Sequence, residues 1–238
     1  MSEHKPTGEG VDGDETDVFQ SWDAMLENIK GEVTRLAVNR HIFWEVQEII
    51  KANERIQKPS SFYEWLGNVY ATDAVIGVRR QLDRDKRSIS FTSLFEGILV
   101  RPSVLSRERF VALYCDKSNS DVQQYLEEQA HEDFEKFASP GSPYIDPVLV
   151  ASDLSTLQDK AKNIGKYANK RVAHFDREAL DILPTFHELN ECIDFLEVLL
   201  KKYMLLFRAV GYVQVLPVWQ YDWKAIFREP WLEPIHSG

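Results

Sequence analysis

Residues 186–207 read FHELNECIDFLEVLLKKYMLLF, and within them Phe186, Leu189, Ile193, Leu196, Leu200, Tyr203 and Phe207 recur at steps of three and four. That period is one face of an α-helix, whereas a strand would alternate its apolar residues at every second position. Pro184 and Thr185 stand just before the run and Gly211 just after it, so the helix is expected to start near 186 and to stop at the glycine. Only the start of the tail, YVQV at 212–215, alternates, and no stretch elsewhere supports a sheet. The fold class expected is therefore all-α, a helical bundle.

A partner expected for this helix is the one before it, SDLSTLQDKAKNIGKYANKRVAHFD at 152–176. Leu154, Leu157, Ala161, Ile164, Ala168, Val172 and Phe175 form its apolar stripe. A polar stripe runs beside it through Asn163, Tyr167, Lys170 and His174. With the intervening loop including His174 to Leu183, the two helices are expected to pack antiparallel.

Working toward the N-terminus, the Ser-Pro-Gly-Ser-Pro run at 139–143 is the clearest loop. Before it, 120–138 reads as a charged helix, 106–115 as a turn or two of helix, and 90–100 as a short apolar helix opened by Ser90 and stopped by Arg101-Pro102. Residues 62–82 form a long helix capped by Ser60 or Ser61, with Phe62, Trp65, Leu66, Val69 and Ile76 as its apolar side. Thr72, Asp73, Arg79, Arg80 and Asp83 gather on or next to that side. Their two readings are intrahelical Asp–Arg pairs on a solvated face, or arginines aimed at an anion or a neighbouring carboxylate. Residues 19–30 and 32–57 are helical, with Gly31 between them as an interruption or a tolerated glycine.

The domain plan expected is an acidic disordered tail over 1–17, a bundle over 18–209, and an aromatic C-terminal extension over 210–238 laid on the bundle as an extended segment and a short helix. The chain has 238 residues and a net charge of −10, which argues against broad, non-specific binding of nucleic acid but leaves room for a local basic groove. Six acidic residues fall within 1–17, so the bundle itself is less acidic than the total. Cys115 and Cys192 are far apart and fit two thiols in a reducing compartment. With no apolar run of spanning length and no secretion signal, the expected location is cytoplasmic, away from membranes. Nucleophile elbows, phosphate-binding glycine loops and metal-ligand spacings are absent, so no metal or cofactor is expected.

The segment NKRVAHFD at 169–176 following an amphipathic helix, then PTFHELNECIDFLEVLLKKY, together with FYEWLGNVYATDAVIGVRRQLDRDKRSISF at 62–91, resembles the HEPN helical domains, in their abortive-infection, AbiU-like branch. The resemblance covers roughly 30–207. It implies a bundle of four or five helices working as a homodimer in a phage-defence or toxin-like setting. It also implies RNA as the substrate, cleaved without metal by a histidine and an arginine lining a cleft between two copies. His174 matches the motif histidine and Asn169 its polar residue. Ala168 stands where the motif carries arginine.

The chemistry so implied is attack of an RNA 2′-hydroxyl on the adjacent phosphate. His174 would move protons, with Arg171 and Asn169 completing the catalytic set. Arg79, Arg80, Lys170 and Asp176 would bind substrate or orient the imidazole, the arginines supplying the charge missing at Ala168. A histidine at this place also suits a plain helix C-terminus, where the dipole favours a cation. The alternative function is an HEPN-like interaction module without catalysis, its helical face binding a partner protein or a nucleotide.

Overall fold

In the computed structural model the described residues are 9–85, 87–114, 120–169 and 184–231. They form α-helices and short 3-10 turns, with one isolated β-bridge between Ser106 and Tyr144. The α-helices are α1 (Glu9–Ala52), α2 (Ser61–Gln81), α3 (Phe91–Val100), α4 (Arg107–Ala112), α5 (Ser120–Phe134), α6 (Pro147–Lys160), α7 (Lys162–Tyr167) and α8 (Phe186–Arg208).

Helix α8 behaves as its pattern demands. Leu189, Ile193, Leu196, Leu200, Tyr203 and Phe207 are all buried, and Thr185 caps the start with a reciprocal pair of bonds to Glu188. Its end differs from the expectation. The left-handed capping residue is Ala209, at φ 53°, two residues before Gly211. The helix closes there because the Ala209 N–H bonds the Leu205 carbonyl, although alanine pays a steric cost in that region.

Helix α8 packs on α6, the first part of the 152–176 stretch that the sequence pairs with it, but its main partner is α1. The reason lies in α1, one continuous helix through Gly31. It buries Trp22, Leu26, Ile29, Val33, Leu36 and Phe43 at steps of three, four and seven. Arg40 occupies the missing position of that stripe. Its guanidinium donates to Asp194 at 2.6 Å, to Glu197 at 2.7 Å and to the Asn190 carbonyl at 3.1 Å on α8. At the other end of the pair, Arg208 bonds Asp23 at 2.6 Å and also holds Glu27. These contacts make α1 and α8 antiparallel and fix their register.

Helix α1 also starts earlier than the tail reading places it. Asp14 pairs with Arg101 at 2.8 Å and Glu15 accepts from the Ser103 hydroxyl at 2.8 Å, so part of the acidic stretch is helical and anchored. Residues 1–8 lie outside the described residues.

The remaining elements close the core. Helix α3 buries Phe91, Leu94, Phe95 and Ile98 against α6 and α1, and the Phe95 ring lies 4.7 Å from that of Tyr203. Helices α4 and α5 build a small aromatic annex of Phe110, Phe134 and Phe137, with the Arg107 guanidinium 4.8 Å over Phe134. The 152–176 helix is not continuous: it breaks at Ala161 into α6 and α7.

The described part of the C-terminal extension is irregular, with a 3-10 turn at Trp223–Arg228. It docks on α1, where Trp219 and Trp223 flank His41 with ring centroids 6.2 and 6.3 Å away, and Lys224 pairs with Glu45. No described helix is long and apolar enough to cross a membrane.

Candidate functional site

Helix α2 sits against α1 at Gly77, where an added Cβ would come 2.6 Å from the Leu36 side chain. A side chain there would have to push the end of Leu36 aside, so the glycine lets the two helices lie close. Buried Tyr70, Ala74, Val75 and Val78 form its inward side. Ser60 caps its start, accepting from the Phe62 N–H at 3.2 Å. The apolar side expected from the sequence is not the buried one. Phe62, Trp65 and Val69 are 48%, 57% and 48% exposed.

The charged end of α2 divides the two arginines. Arg80 turns to α1, where Glu32 accepts at 3.3 Å and also bonds Arg35 at 3.2 Å. Asp73 joins the same network through Arg35 and through the Asn39 amide at 2.9 Å. The α2 acid thus pairs across helices rather than along its own. Arg79 turns the other way and donates from Nε to the Asn169 side-chain oxygen at 3.0 Å. Among the described residues no carboxylate pairs with Arg79 and none accepts a hydrogen bond from its terminal nitrogens.

Asn169 reaches Arg79 because the backbone after α7 widens into a π-helical turn at 168–169. Ala168 is buried there, so the position where the HEPN motif carries arginine points into the core. A cavity of about 200 Å³ is lined by Ala71, Val75, Tyr167, Pro184, Phe186 and Leu189; Val75 stands one turn before Arg79 on α2, and Tyr167 two residues before Asn169. Its far wall is braced by Asn163, whose amide donates to Glu188 at 2.8 Å. The Thr185 N–H and that amide hold the Glu188 carboxyl below its ordinary value. On the other flank of α2 a wider groove of about 370 Å³ runs between α1 and α2. There burial pushes the Tyr70 phenol up to about 12.

Of the site residues expected from sequence, Asn169 and Arg79 are brought together and Arg80 is drawn away into an ion-pair network. Lys170, Arg171, His174 and Asp176 lie outside the described residues, as does Cys115. Cys192 is buried and its thiol pushed up to about 12 by burial, so it is not a nucleophile at neutral pH. The C-terminal extension leaves the 200 Å³ cavity uncovered among the described residues. Sequence reasoning missed the Asn163–Glu188 brace and the role of Arg40, although the Thr-x-x-Glu spacing at 185–188 signals a capping box. Among the described residues no three His, Cys, Asp or Glu side chains converge as metal ligands.

A guanidinium held through Nε with both terminal nitrogens open presents the edge that grips two oxygens of a phosphate or carboxylate. The cavity one turn back along α2 is mostly apolar, suited to a base or ring more than to a second charge. Comparison of the chain with family models, with curated proteins and with solved structures finds no match in any of the three. On the fold itself, the described chain is an all-helical domain.

Proposed function

We propose that this chain is an HEPN-like defence protein that engages RNA where α2 meets α7 and cleaves it without metal. The observation that carries the reading is the Arg79–Asn169 contact. It joins residues ninety positions apart and, among the described residues, leaves the terminal nitrogens of Arg79 without a carboxylate partner, one helical turn from Val75 in the wall of the 200 Å³ cavity. The described chain leaves this corner at Asn169 and re-enters at Pro184, which lines the same cavity, and the segment between carries His174. Arg79 takes over the charge that Ala168 does not supply, from the facing helix. Because the Asn169 oxygen is engaged, its work is to orient Arg79, and only its amide nitrogen is left for the phosphate.

In this reading His174 takes the proton from the 2′-hydroxyl as that oxygen bonds to phosphorus. His174 then returns that proton to the 5′-oxygen of the next nucleotide as its bond to phosphorus breaks, and the products are a 2′,3′-cyclic phosphate and a 5′-hydroxyl. Arg79 stabilises the charge that builds on the phosphate oxygens. The test is purified protein with a mixed RNA pool in EDTA, comparing wild type with His174→Ala and Arg79→Ala. Cleavage by wild type alone is expected. Cleavage that persists in His174→Ala, or that needs a divalent metal, would defeat the mechanism.

A second reading is an HEPN-like module without catalysis, binding a partner protein or nucleotide. It is favoured by the Arg80–Glu32 pair, which removes one of the two candidate arginines, and by the burial of Ala168 at the motif position. Wild type that binds RNA or nucleotide through Arg79 yet never cleaves would select it.

A further inference from the structure

Among the described residues the buried polar side chains are Gln81, Ser90 and Thr92, and all three sit where α2 hands over to α3. They engage groups that the two helix ends leave open. The Gln81 Oε1 accepts from the Phe91 N–H at 3.3 Å, and the Thr92 hydroxyl donates back to the Gln81 carbonyl at 3.1 Å. Two residues on, the Ser90 hydroxyl donates to the Asp83 carbonyl at 2.7 Å and accepts from the Ser93 N–H at 3.0 Å. Gln81 also keeps a buried Nε2 with no hydrogen-bond partner among the described residues. An unpaired buried donor costs stability, so burial alone does not account for an amide at this place.

Gln81 stands two residues after Arg79. The next residue, Leu82, lies 3.5 Å from where a Cβ on Gly165 would stand, and Gly165 is one turn before Asn169. The junction therefore adjoins both halves of the Arg79–Asn169 contact. We propose that Gln81 and Thr92 are positioning residues, which fix the rotation of α2 and so aim Arg79 at Asn169 and at the phosphate. Successive residues of a helix point about 100° apart, so rotation alone decides where Arg79 and Arg80 face. A guanidinium stands roughly 9 Å from the helix axis, and a turn of about 10° carries it about 1.5 Å sideways. The Arg79–Asn169 bond of 3.0 Å does not survive such a shift. The other contacts at this end of α2 hold its rotation less firmly. The Gly77 contact with Leu36 limits how near α2 comes to α1, but it is apolar and has no direction. The Arg80–Glu32 pair is largely in solvent, with Arg80 58% exposed. The exchange between Gln81 and α3 is buried and directional. The proposal rests on the reading of Arg79 as the group that meets the phosphate.

The test uses the full chain with Thr92→Val, which removes the hydroxyl, Thr92→Ser, which keeps it, and Gln81→Leu, with thermal melts alongside. The first readout is the Arg79 Nε–H by heteronuclear NMR, identified by its loss in Arg79→Lys. The Arg208 Nε–H, which bonds Asp23, is the control. Hydrogen exchange at Arg79 is expected to quicken at least about tenfold in Thr92→Val and Gln81→Leu. Thr92→Ser should stay near wild type, and Arg208 should not change in any variant. The second readout is RNA cleavage in EDTA. There kcat is expected to fall roughly ten- to a hundredfold in Thr92→Val and Gln81→Leu, with KM near wild type. A wild type that never cleaves RNA defeats the proposed function, and exchange at Arg79 then decides this proposal by itself. Unchanged exchange at Arg79 in both Thr92→Val and Gln81→Leu overturns it. So does a Thr92→Ser as impaired as Thr92→Val, which would make the junction a matter of packing. Should Gln81→Leu fail to fold, the two Thr92 variants decide.

Discussion

In α8 the residues Leu189, Ile193, Leu196, Leu200, Tyr203 and Phe207 are each at most 2% exposed, while in α2 Phe62, Trp65 and Val69, at the same steps, stay 48%, 57% and 48% exposed. The local pattern is the same in kind, so the difference comes from what lies opposite. Helix α8 faces a 44-residue α1 that matches it turn for turn and locks it with Arg40 at one end and Arg208 at the other. The inward side of α2 is taken by smaller residues, and Gly77 lets it settle close to α1 with its larger apolar side chains pointing away. A periodic apolar stripe therefore states that a helix face wants cover. Which chain supplies the cover is a separate matter.

The comparison is broken most forcefully at the centre of α8. Leu196→Ala is expected to cost about 2–5 kcal/mol in urea denaturation, the range for a fully buried leucine, since its side chain is 0% exposed. Val69→Ala on α2 is expected to cost less than about 1 kcal/mol in the folded protomer, as about half of its surface is already in water. Equal losses at the two positions would remove the distinction between core stripe and outward stripe.

Glycines sharpen it at a smaller scale. Gly77→Ala must displace the Leu36 side chain from a 2.6 Å contact and is expected to destabilise by about 1–3 kcal/mol. Gly67→Ala, with nothing within 4 Å of the new Cβ, is expected to stabilise α2 by up to about 1 kcal/mol through helix propensity. Opposite signs in parallel melts would confirm that α2 is fixed at one end by close approach and not along its length.

The smallest effect concerns pH. Glu188 is held below its ordinary carboxyl value first by the Thr185 N–H and then by Asn163. A depressed carboxyl contributes stability that is present above its unfolded value of 4.5 and is lost as pH falls through the folded value. Glu188→Gln is therefore expected to flatten the acid side of the stability profile, while leaving a capped helix at neutral pH. An unchanged acid limb would show that the brace between α7 and α8 carries little.

Much of this was legible from residue spacing and cap residues. Ser60, Ser90, Ser106 and Thr185 each accept from a backbone N–H at the helix start their position predicts. The bundle class follows from α8 alone. The features that were not legible depend on distant partners. Arg40 looks like a polar intruder until Asp194 and Glu197 arrive from more than 150 residues away. The break at Ala161 reflects the separate pulls of α8 on α6 and of α2 on α7. At the site, Arg79 and Arg80 were equivalent neighbours in the sequence. Only the rotation of α2 sends one to Glu32 and the other to Asn169.

The contrast between the two helices is tested most directly by amide hydrogen exchange on the full chain at low and high protein concentration. The account predicts that exchange in 186–208 is slow and independent of concentration, because α1 and α6 cover α8 within one protomer. Exchange in 61–69 should be faster at both concentrations, because the outward side of that stretch of α2 stands about half in water. Equal protection of the two segments would contradict the account.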